Sequence, residues 1–131
     1  MGVLVAPVIP GLTDHEMPGI IAAAAKAGAR FAGKTVLRLP YVVAPLFEDW
    51  LGRHFPDRRD KVLNRIRALR GGKLNTAEFG SRMRGEGIFA EQISQMFHVA
   101  CRKAGITEHD PELSAAAFRR PEEAQLGLGF L

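Results

Sequence analysis

One cysteine, one tryptophan and one tyrosine occur in 131 residues, and each scarcity closes off a class of protein. The lone Cys101 cannot build an internal disulfide framework, a CxxC pair or a cluster-binding triplet. It falls in a helical apolar stripe beside Phe97 and Ala100 and reads as a core thiol, since a nucleophile needs a base and an electropositive, partly open setting. Long apolar runs are also lacking. The low-charge stretch before His15 is broken by Pro7, Pro10 and Gly11, and no basic segment leads into a signal-type apolar core. Neither a spanning helix nor a membrane partner is expected there, and the cytoplasm is the expected location. The histidines His15, His54, His98 and His109 never fall at a paired-ligand spacing on one helix. No HExxH, Cys-His cluster or GxSxG element occurs, so metal and hydrolytic chemistry lack support.

What is present suits one modest core, with 47% of residues apolar and 24% charged. The order reads strand, helix, strand, helix, helix, loop, helix, tail, without an internal repeat. Val3 to Ala6 is a near-continuous apolar run, the pattern of a parallel strand covered on both faces, and it leads into the Pro7 to Asp14 loop. The first helix is periodic at Ile20, Ile21, Ala24 and Ala25 and stops at Gly28. Thr13 and Glu16 have capping-box spacing, but Pro18 shifts the expected regular start toward Met17. Thr35 to Leu39 reads as a second strand ending at Pro40. Together these pieces predict a right-handed βαβ unit over residues 1–40.

Residues 41–105 read as a helical extension. Pro45 opens a helix in which Leu46, Phe47, Trp50, Leu51 and His54 share a face, and Pro56 stops it. A third helix runs from about Asp57 to Arg70, with Val62, Ile66 and Leu69 inward and its arginines mostly outward. Gly71 to Gly87 reads as a basic loop. The last helix, about Phe89 to Ala104, puts Ile93, Met96, Phe97 and Ala100 on its core face. Residues 106–131 mix acid, Pro, Ala and Gly without a period and predict an irregular tail.

The formal phosphate-loop match Gly28-Ala-Arg-Phe-Ala-Gly33-Lys34-Thr35 has its context reversed. A phosphate loop needs a strand before it and a helix after it, so that backbone N–H groups and the helix N-terminus meet the phosphates. Here a helix runs in and a strand runs out. Asp14, His15 and Glu16 at the first helix start read as capping and first-turn acids, which would repel a phosphate.

Charge is concentrated. From Arg53 to Arg84 there are ten Lys or Arg against three acids, within a net charge of +4 for the chain. On the helices the cations read as a solvated face with pairs such as Asp57 and Lys61. Lys73, Arg82 and Arg84 lie in the glycine-flanked loop and are candidates for binding nucleic acid or another anion.

Several segments in the same order carry a resemblance. VLVAPVIPGLTDHEMPGI, VLRLP, RGGKLN and FGSRMRGEG, with a tail containing FRRP and a QLxL element, resemble the carboxyl-terminal part of bacterial radical S-adenosylmethionine proteins related to spore photoproduct lyase. The resemblance implies α/β architecture: a fragment of a partial parallel-strand barrel, here its fifth and sixth strands, followed by a helical extension. It also implies that a [4Fe-4S] cluster and S-adenosylmethionine belong to the full-length relative through a CxxxCxxC motif. This chain lacks that motif, so no cofactor is expected in it alone. By the same resemblance Pro10, Gly11, Arg38 and Pro40, at the ends of the strands, are candidates to lie near the adenosyl group.

The leading expectation is therefore the carboxyl-terminal portion of a spore photoproduct lyase-like enzyme. It would be inactive alone, would need an amino-terminal barrel portion as partner, and would act in DNA repair or nucleic-acid modification. The alternative is a noncatalytic basic nucleic-acid-binding module. Gln125 to Phe130 is also similar to the QLxLF peptide that docks sliding clamps, except that Gly129 interrupts it.

Overall fold

The apolar residues of the first segment take alternate sides of a strand, and only one side is covered. In the computed structural model, which describes residues 1–109 and 111–119, β1 (Gly2–Val8) and β2 (Phe31–Val36) pair in parallel as a two-stranded sheet. Gly2 stands opposite Phe31 and Val5 opposite Lys34, and the register shifts before Val8 meets Val36. Pro7, which has no N–H for a ladder, lies in that shift. The crossover is α1 (Met17–Lys26), preceded by a short 3-10 turn at Asp14–Glu16. The architecture is thus mixed α/β with an unclosed parallel sheet.

Val5, Val8, Ala32 and Val36 pack with Met17 and Ile21 of α1 and with Ile93, Phe97 and Ala100 of α4 (Ile88–Ala104). The other face has no such cover. Leu4 is 66% exposed and lies over Gly33, where an added Cβ would come within 3.3 Å of Leu4 Cδ1. The run is apolar throughout, yet within the described residues helices cover one side only.

The edges of the sheet differ as well. Beyond β1 the described residues supply no further strand, and a groove of about 230 Å³ runs along it between Leu4, Pro7, Thr13 and Ile20. The outer edge of β2 is occupied. Ala32 N–H donates to the Thr107 carbonyl at 2.8 Å and Val36 N–H to the Met83 carbonyl at 3.1 Å. Thr107 therefore belongs to the sheet as a single parallel bridge to Phe31, which the aperiodic tail sequence did not announce.

The second strand lies earlier than residues 35–39. Phe31 and Ala32 find ladder partners on both sides, whereas Leu37 makes one last bond to the Val8 carbonyl and Leu39 turns into a second apolar cluster. That cluster joins Leu12 and Leu39, from the loops after the two strands, to Leu51 of α2 (Val43–His54) and to Val62, Leu63 and Ile66 of α3 (Arg59–Leu69). Pro45 is tolerated in the first turn of α2, where a backbone N–H would find no intrahelical carbonyl to donate to. The shared face expected for α2 is rotated. Ala44, Phe47 and Leu51 point inward, leaving Leu46 at 67% exposure and Trp50 on the rim against Phe47 and Phe55.

Two local readings also change. Thr13 and Glu16 do not form a capping box: Thr13 Oγ1 accepts from Ile9 N–H at 2.9 Å, and Asp14 Oδ2 accepts from Gly11 N–H at 3.0 Å. These bonds fold the Pro10–Gly11 loop back on itself. Because α3 starts at Arg59, Asp57 is off its face; among the described residues its cations and those of α2 pair instead as Arg53–Asp49, Arg59–Glu48, Arg59–Asp60 and Arg65–Asp14. Gly105, with φ of 71°, ends α4 in the left-handed conformation. Among the described residues no helix is long and apolar enough to cross a membrane. Arg120 and Pro121 of the FRRP element and the clamp-like segment Gln125 to Phe130 lie outside the described residues.

Candidate anion-binding site

The carboxyl ends of both strands point toward the basic loop. Val36 N–H binds the Met83 carbonyl, so residues 81–85 run beside the end of β2. Arg38, two residues past the strand, reaches Met83 with Nη1 at 3.7 Å from its sulfur. Gly85 completes the arrangement with φ of 75°, its Cα so close to Leu69 that an added Cβ would meet Leu69 Cδ2 at 3.1 Å. Glycine is required there for backbone freedom and for space.

The residue that organises this region is Arg70. It follows Leu69 at the end of α3 and is only 4% exposed. Its Nη2 donates to the Leu37 carbonyl and its Nη1 to the Ser81 carbonyl, each at 2.9 Å. One guanidinium thus joins the end of β2 to the basic loop. Burial lowers its pKa, and the like charge of Arg38 lowers it further. No carboxylate pairs with it among the described residues.

Beside Arg70 opens a cavity of about 450 Å³, lined also by Lys73, Asn75, Thr76, Ser81 and Glu86. Arg38 Nε, Arg70 Nε, Asn75 Oδ1 and Ser81 Oγ are buried without a hydrogen-bond partner among the described residues. Buried polar atoms are rarely left so, and these four come from one neighbourhood. Arg82 lies on the adjoining loop with its guanidinium 5.1 Å from the Phe79 ring centre.

A second polar group lies on the helix-covered face. Lys34 Nζ sits 5.0 Å over the Phe97 ring. Burial lowers its pKa, Glu108 opposes that shift and Arg84 reinforces it. His98 Nδ1 pairs with Glu108. Lys34 and Thr35 are strand residues, so the formal phosphate-loop match has no helix after it and its lysine faces α4.

The residues singled out in the sequence are dispersed by role. Lys73 lines the cavity and Arg82 flanks it, while Arg84 is exposed next to them. Pro10 is fully buried. Gly11 packs against the Arg65 side chain, with 3.2 Å from an added Cβ to Arg65 Cδ. Pro40 is half-buried. Of the four positions implied by resemblance, Arg38 alone offers an unpartnered polar group, and it lies with the basic loop. Arg70, Asn75 and Ser81 were missed. Arg70 counted as one cation among ten, and its carbonyl partners are 33 and 11 residues away in sequence.

The residues present do not fit a [4Fe-4S] cluster. The one cysteine, Cys101, is buried in the main core, and among the described residues no group of three or more His, Cys, Asp and Glu could hold a metal. Comparison of the chain with protein-family models, curated proteins and solved structures finds no match.

Proposed function

We propose that this chain is the carboxyl-terminal portion of a radical S-adenosylmethionine protein related to spore photoproduct lyase, cytoplasmic, inactive alone and acting on nucleic acid. The observation that carries the reading is the one-sided sheet. Two parallel strands with helices on one face, and with Leu4, Gly33 and Thr35 on the other, are what a strip cut from a barrel wall would look like. A sheet with an open apolar edge is poorly stable and prone to association, so a further strand against β1 is the natural cover. The cluster and most of the S-adenosylmethionine pocket would then belong to the amino-terminal barrel portion, since this chain has the thiol for neither a pair nor a triplet. On this reading Arg38, two residues past the end of β2, would approach the cofactor.

A second reading, a noncatalytic nucleic-acid-binding module, is favoured by the gathering of Arg38, Arg70, Lys73, Arg82 and Arg84 at one end of the sheet.

The test pairs this chain with a separately expressed radical S-adenosylmethionine barrel portion carrying CxxxCxxC. Association should protect the outer-edge amides of β1 from hydrogen exchange, and 5′-deoxyadenosine should form only in the reconstituted mixture. A stable [4Fe-4S] absorbance from this chain alone after anaerobic reconstitution overturns the reading. So does a monomer whose β1 edge is already fully protected.

A further inference from the structure

The open side of the basic loop offers cations to a ligand. Arg70 Nε, Arg38 Nε, Asn75 Oδ1 and Ser81 Oγ are shielded as well as unpartnered among the described residues, and both Arg70 Nη atoms are given to carbonyls, so these groups shape the loop rather than face a ligand. Lys73 stands at the exposed mouth of the cavity, and Arg84 is exposed on the adjoining loop with Arg82 beside it. Such cations are suited to phosphate oxygens.

The rim narrows the class. Glu78 and Glu86 also line the cavity, and their carboxylates oppose a doubly charged phosphate more strongly than a singly charged phosphodiester. Next to the cavity, Phe79 is 91% exposed between Glu78 and Gly80, with the Arg82 guanidinium over its ring. An aromatic ring backed by an arginine and otherwise open to water is a platform for a nucleobase, and only an unpaired strand has free base faces to offer.

We propose that residues 70–86 bind single-stranded nucleic acid, seating one phosphodiester at the cavity mouth against Lys73 and stacking an adjacent base on Phe79. The proposal rests on the nucleic-acid part of the functional reading and is independent of the barrel portion and its cluster.

Fluorescence anisotropy with the full chain and a labelled oligothymidylate tests it, over a range of salt concentrations. A duplex of equal length, an abasic strand and inorganic phosphate serve as the comparison probes. The single strand should bind more tightly than the duplex. Phe79→Ala, at an exposed position whose loss leaves the melting temperature unchanged, should weaken the single strand about 5- to 150-fold. The log-log salt slope should not change with it. Lys73→Gln should reduce that slope by about 0.7. The abasic strand should bind wild type and Phe79→Ala alike. Equal binding of oligothymidylate by wild type and Phe79→Ala overturns the proposal, as does a preference for duplex. Saturation by inorganic phosphate with no strand binding overturns it too. Because neither cluster nor barrel portion takes part, these results stand apart from the association experiment: protected β1 amides with no strand binding would remove this proposal and leave the barrel reading in place.

Discussion

Arg70 Nη2 donates to the carbonyl oxygen of Leu37 at 2.9 Å across 33 residues of chain, fastening the end of α3 to the end of β2. The same guanidinium holds the Ser81 carbonyl, so a single buried side chain sets the distance between the parallel sheet and the basic loop. Its Nε is buried without a hydrogen-bond partner among the described residues.

Replacing Arg70 by Met keeps most of the volume and leaves both carbonyls without their charged donor. Removing the buried charge offsets part of that loss, so destabilisation should be about 1–3 kcal/mol in urea unfolding. Arg70→Lys should recover only part of it, because an ammonium cannot reproduce the fork that reaches two carbonyls at once. A Met variant as stable as wild type would show that the two bonds do no more than balance the burial of the guanidinium.

Cys101 gives a pH signature. It is 1% exposed, and burial first, then the charge of Glu108, raise its pKa, with Lys34 opposing. Above the ordinary value of 9.0 the unfolded chain has lost the thiol proton while the native protein keeps it. The unfolded state then binds fewer protons, so this contribution to stability is full below 9.0 and is lost as pH rises through the raised folded value. The stability gap between wild type and Cys101→Ala should therefore shrink as pH climbs past that point. The native thiol should also resist a bulky disulfide reagent until denaturant opens the core. Rapid labelling of the folded protein would contradict this placement.

The rotated face of α2 separates two leucines of identical chemistry. Leu51, fully buried among Val62, Leu63 and Ile66, should cost about 2–5 kcal/mol on truncation to Ala. Leu46→Ala should stay within about 0.5 kcal/mol in the isolated chain. Urea midpoints at equal m-values measure both, and equal losses would refute the assigned rotation.

Much of the local order could be read from residue spacing. The βαβ unit, the stop of α1 before Gly28, the end of α4 at Gly105 and the core role of Cys101 follow from periodicity and from where glycine and proline are tolerated. Strand limits did not. Thr35 to Leu39 looked like a strand because Val36, Leu37 and Leu39 are apolar, whereas the ladder extends over Phe31–Val36 because β1 and Thr107 supply partners there. The loop cations Lys73, Arg82 and Arg84 were legible as a basic cluster in a glycine-flanked loop. Their assembly with Arg38, Asn75 and Ser81 was not, since no short-range pattern connects them.

By itself the sequence determined the order of helices and strands, that one thiol cannot form an internal disulfide or a cluster-binding triplet, and where positive charge gathers. Those properties depend on backbone conformation and composition, which neighbouring residues decide. Tertiary structure alone decided that Arg70, of ten similar cations, is the buried one. It alone set Phe79 in the open beside a polar cavity. Burial and hydrogen-bond partnership are set by elements that meet from distant parts of the chain, and the cost of an unpartnered charge exists only once they have met.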